Sequence, residues 1–127
     1  MNKIIFTGLA LMVSMTAMAQ QEMADDGSRV VLPLQAQACT LPSAPPPIAE
    51  APVKADLLAA QKNVKGFQAE MAEYRACIDK DADSAELTWG NQQAILRAHD
   101  YSVEMEERVA AMFNEALRAY KASIATE

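Results

Sequence analysis

Two cysteines, one histidine and a scatter of methionines are the residues in this 127-residue chain whose types could support chemistry. Cys39 and Cys77 lack CxxC spacing, which gives thiol–disulfide catalysis no motif to run on. In an oxidising space the two permit one intramolecular pairing, a structural disulfide, with a between-chain bridge or free thiols as the alternatives. His99 has no second imidazole near it, and zinc needs three or four ligands at spacings such as HxxxH, so no metal site is expected. Glu106 lies two helical turns further on, about 10 Å along an axis, and does not meet His99 directly. Met71, Met105 and Met112, together with His99, are types that ligate haem or copper in helical bundles. Methionine more commonly fills irregular core space, and two helices make a poor cofactor pocket, so no cofactor is expected. Glu70, Glu73, Glu104, Glu106 and Glu107 read as solvated helix faces. No Ser, His and acid grouping suggests a nucleophile and no Gly-rich turn suggests a phosphate cradle, so no catalytic residue is assigned and the chain is not expected to be an enzyme.

The elements that would position these residues are helical. Val53, Leu57, Ala60, Val64, Phe67, Met71, Tyr74 and Ile78 alternate steps of four and three without a fault, the seam of a helix packed lengthwise on another. Pro52 suits its first turn and Asp79, Asp81 and Asp83 its end, giving helix 1 over about 52–79. Asp83 with Glu86 reads as a capping box opening helix 2, about 84–125. The alternative places the turn near Gly90. Val109, Phe113, Ala116, Leu117, Tyr120 and Ile124 form a broad apolar face on helix 2. Ile95, Leu96, Ala98 and Val103 continue it, but Ser102 and Glu106 interrupt it. Ahead of the helices, Arg29–Leu34 is extended chain at most, because Pro33 cannot donate to a ladder. Pro42, Pro45, Pro46, Pro47 and Pro52 make residues 40–52 a semi-rigid strut. The expected fold is therefore all-α, an antiparallel two-helix, coiled-coil-like hairpin carrying an extended Pro-rich arm.

The cysteines act as a ruler for that arm. Cys77 lies 25 residues beyond Pro52, about 38 Å along a helix. Cys39 lies 13 residues before it, about 40 Å of polyproline-like chain. A Cys39–Cys77 bond thus requires the arm to run back along helix 1. Pairing outward from a turn at residues 81–82, Pro52 falls opposite about residue 112. Phe113, Leu117, Tyr120 and Ile124 would then overhang as a partner surface, for a homodimer or an envelope protein.

Composition and the N-terminus supply an address. Lys3, the apolar run from Ile4 to about Met18 and Ala17-Met18-Ala19 read as an export signal over 1–19, too short to span a membrane. Residues 20–51 form a flexible lead and arm, and 52–127 the hairpin. Without Lys3 the remaining chain carries 17 acidic and 10 basic side chains, which favours solubility and disfavours nucleic acid or anionic lipid as partners. The expected location is periplasmic or secreted.

Leu58–Phe67, Tyr74–Cys77 and Val109–Lys121 resemble small exported helical proteins of Gram-negative bacteria that pair a Cys- and Pro-rich lead with a helical hairpin. That resemblance implies a periplasmic hairpin and brings no activity or site with it. Leu87-Thr88-Trp89-Gly90-Asn91 is similar to the LTxxQ signature of periplasmic stress chaperones of the Spy type, which hold unfolded proteins on a helical surface. Here Asn91 stands where that family has Gln. The sequence thus reads as a non-catalytic exported structural or interaction component of the cell envelope. A chaperone-like holder of unfolded proteins is the first alternative, and a metal- or haem-binding helical protein the second.

Overall fold

The structure, a computed structural model, describes residues 21–126, and the export signal assigned to 1–19 lies outside them. Among the described residues the fold is all-α, with helices α1 (Leu34–Gln37), α2 (Lys54–Asp79) and α3 (Trp89–Ala125) and no strand. The expectation of two helices is thereby corrected to three. Pro33 causes the addition: its ring pre-sets φ at −62°, and its carbonyl accepts from Ala36 and Gln37 N–H at 2.9 and 3.0 Å, closing one turn. The Gln37 amide reaches back to the Leu32 carbonyl at 2.6 Å. This turn buries Ala36 against the core.

α2 opens where Asp56 accepts the Val53 N–H at 2.9 Å, satisfying one of the donors that a helix start leaves free. Its seam is buried at Leu57, Ala60, Phe67, Met71, Tyr74 and Ile78, as a four-three alternation demands. Beyond Asp79 the chain continues as successive tight turns, with Ala82 N–H on Asp79 O and Ser84 N–H on Asp81 O, both at 3.1 Å.

The start of the long helix differs from the expected residue 84. Ser84 takes the Glu86 N–H itself at 3.3 Å, and no helix grows from Asp83. The cap is Thr88: its hydroxyl accepts from Asn91 N–H while the Asn91 side chain accepts from Thr88 N–H, each at 3.1 Å. Asn91 thus fills the role that Glu or Gln usually takes in a capping box. Gly90, the alternative turn, is buried in the first turn of α3. There a Cβ would fall on the main-chain carbonyl of Arg29.

α3 buries Ala94, Ile95, Ser102, Val109 and Ala116, with Ala98 and Met105 packed against the core. Residues 95, 98, 102, 105, 109 and 116 follow the same three-four repeat, so the seam passes through Ser102 rather than being broken by it. The central cluster joins Ala36, Phe67, Met71, Tyr74, Ile78 and Val109, with Leu32, Cys39 and Val64 at its margin.

The lead is folded, against the expectation of a flexible one. Val30 N–H bonds Glu22 O at 3.0 Å and Ala24 N–H bonds Ser28 O at 2.8 Å, a tight loop turned by Gly27 at φ +82°, where glycine has no Cβ penalty. It docks on α3: Ser28 Oγ accepts from Gly90 N–H and the Asn91 amide donates to Val31 O, both at 2.8 Å.

Candidate functional site

The residues singled out for chemistry are drawn into structural pairings. Cys39 and Cys77 form a disulfide with Cα atoms 5.8 Å apart, within the span a disulfide needs. It joins the segment after α1 to the last turn of α2. Met71 is fully buried and Met105 packs against the same cluster, whereas Met112 is exposed. His99 turns to α2, where its Nε2 donates to Asp79 Oδ2 at 2.7 Å. The methionines and the histidine are therefore not assembled around one point. Among the described residues no group of three or more His, Cys, Asp or Glu side chains converges in a metal-ligand arrangement.

A polar cluster that sequence reasoning did not assemble lies between α2 and α3. Arg75 clamps Glu106 through two bonds, at 3.0 and 3.2 Å, and donates to Ser102 Oγ at 3.2 Å. Ser102 donates to the His99 main-chain carbonyl at 2.6 Å. The fork geometry of a guanidinium matches a carboxylate, and here it also satisfies a hydroxyl that is 0% exposed. The signal was present in Ser102 and Glu106, two polar residues on an apolar face, which called for a cation on the facing helix.

Ser102, His99 and Asp79 are thus close together, and their wiring decides what they can do. A nucleophilic serine needs an imidazole nitrogen within hydrogen-bond reach. The Ser102 hydroxyl is instead directed at the His99 backbone, and the ring's Nε2 at Asp79. The arrangement locks two helices and offers no base to the hydroxyl.

Two ionisable groups elsewhere follow their surroundings. Arg97 donates to Glu22 through both terminal nitrogens, the longer bond 2.7 Å, and this holds the Glu22 carboxyl below its ordinary range. Burial pushes the Tyr74 phenol above its usual value.

The open depressions mix apolar and polar side chains. A groove of about 180 Å³ is lined by Pro45, Ile48, Ala60, Val64, Val109 and Met112 among others. Thr40 and Pro42 line a second depression beside Glu70, Tyr74 and Cys77. The expected partner surface is less bare than the overhang argument required: Phe113, Leu117 and Tyr120 are half-buried, and Ile124 is 51% exposed. The overhang estimate assumed a turn at 81–82, whereas the Asp79–His99 pair sets the two helices nearly fifteen residues further along. Among the described residues no helix is long and apolar enough to cross a membrane. No family model, no curated protein and no solved structure matches this chain.

Proposed function

We propose that the protein is a non-catalytic, exported interaction component of the cell envelope, an antiparallel hairpin of α2 and α3 strapped by residues 40–52. The observation that carries this reading is the Cys39–Cys77 disulfide, a bond that persists in oxidising compartments and commonly staples small domains with little core. Opposed contacts support the hairpin: Asp79 meets His99, while Arg75, four residues earlier, meets Glu106. The lining of the two depressions supports the strap, since residues 40–42 lie by 70–77 and residues 45–48 by 60–64. A photo-crosslinking residue at Met112 or Tyr120, activated in intact cells, tests the interaction role. A discrete crosslinked envelope protein or second copy is expected; a uniform smear or no product at either position contradicts it.

Exposed Leu34, Leu58 and Leu96 favour a second reading, a holder of unfolded proteins. It predicts suppressed aggregation of an unrelated denatured protein, and no suppression at several-fold excess removes it.

A further inference from the structure

The C-terminal half of α3 carries a second apolar row beside the one that faces α2. Ala110, Phe113, Leu117, Tyr120 and Ile124 recur in steps of three and four, and the first four each lie one place or four places on from the buried Val109 or Ala116. Rows related in this way point to neighbouring sides of one helix, so α3 has an inner seam for α2 and an outer seam at its flank. Ala110, Phe113, Leu117 and Tyr120 are half-buried and Ile124 is open. The outer row is thus only partly covered by this chain.

A seam with this spacing is shaped to receive another helix, and its composition and flanking charges select which one. In antiparallel pairing about the middle of the row, layers form between residues whose numbers mirror one another. Ala110 then faces Tyr120 of a second copy and Phe113 faces Leu117, each layer occurring twice. The smallest side chain of the row meets the one bearing a phenol, which is the large-against-small match that close packing needs. The exposed positions 107, 114 and 121 run along one margin of the seam. The same pairing puts Glu107 of one copy opposite residue 123 of the other, about 3 Å of helix rise from Lys121, twice, with Asn114 near the two-fold axis. A parallel pairing would put this margin of the two copies on opposite sides of the seam, so only the antiparallel arrangement brings Glu107 and Lys121 together.

We propose that the partner at this surface is a second copy of the chain, docked as an antiparallel, two-fold symmetric α3–α3 pair through Ala110, Phe113, Leu117 and Tyr120 and aligned by Glu107–Lys121. This rests on the interaction reading above and names its partner. The contact is isologous, so it closes as a dimer and does not propagate. It spans ten residues, about 15 Å of helix, so the affinity belongs in the micromolar range, about 1–100 µM.

Sedimentation velocity of the oxidised protein tests it. The wild-type chain should show a monomer–dimer equilibrium. Glu107→Lys alone and Lys121→Glu alone should each raise the dissociation constant about tenfold by placing like charges together, and neither exposed position is part of the core. Mixing the two variants should restore wild-type affinity, because every facing pair is then opposite in sign; the double variant should be restored likewise. A chain that stays monomeric at several hundred micromolar overturns the dimer. Dimers whose affinity ignores the swaps overturn the antiparallel register. In-cell crosslinks from Tyr120 to a different protein, with the isolated chain monomeric, overturn the second copy while leaving the interaction role standing.

Discussion

Gly90 shows how one atom can tie two distant segments. Alanine favours a helix over glycine by up to about 1 kcal/mol, yet a methyl here would collide with the Arg29 carbonyl, main chain that cannot swing aside. Gly90→Ala should therefore destabilise the full chain by about 1–3 kcal/mol, measured by urea unfolding. In a chain lacking residues 21–31 the same change should stabilise slightly. Arg75 and Glu106 set a second test, since each is only partly exposed and each satisfies the other. Glu106→Ala, which strands the guanidinium between helices, should cost about 1–3 kcal/mol, more than Ser102→Ala, which leaves the two-pronged pair intact. Tyr74 gives a pH dependence with a definite sign. Its raised ionisation in the folded state means stability is complete below the ordinary tyrosine range. It falls as pH rises through the folded value, because the unfolded chain releases the proton first. Tyr74→Phe should flatten that alkaline loss in thermal melts taken across the range.

At the scale of elements, α2 was readable from the chain because every seam position carries an apolar side chain with enough bulk to mark the period. α3 was harder to read. Its inner seam runs through Ala98, Ser102 and Ala116, small residues that mark the period weakly, while the bulkier Phe113, Leu117 and Tyr120, only half-buried, dominate the pattern. The disulfide was legible from two lengths. The dock of the lead on α3 was not, because it consists of backbone and side-chain hydrogen bonds across some sixty residues, from Ser28 to Gly90 and Val31 to Asn91. Nor was α1, a single turn made by Pro33. The start of α3 separates two caps that look alike in sequence. Thr88→Ala should lower stability by about 1 kcal/mol, whereas Asp83→Ala should leave it nearly unchanged, and equilibrium unfolding of the two variants distinguishes them.

For the whole molecule, a single cluster of six buried side chains must hold three helices, a loop and an extended segment, and a core of this size is marginal alone. The cross-link closes a loop of 38 residues, which in a chain-entropy account stabilises the fold by about 3–4 kcal/mol. Cys39→Ser with Cys77→Ser should therefore keep most helical signal in the cold while shifting the urea midpoint strongly downward. It should also open residues 40–52 to limited proteolysis, because among the described residues that segment has no main-chain hydrogen bond to the helices that would hold it once the cross-link is gone. Export of the chain, followed by a cross-link within it, underlies both the fold and the proposed role. Non-reducing peptide mapping by mass spectrometry, applied to the protein recovered from the cell envelope, addresses this most directly. One covalent single-chain species beginning near Gln20, in which the peptide bearing Cys39 is joined to the peptide bearing Cys77, is the predicted result; free thiols, or bridges joining two chains, would contradict it.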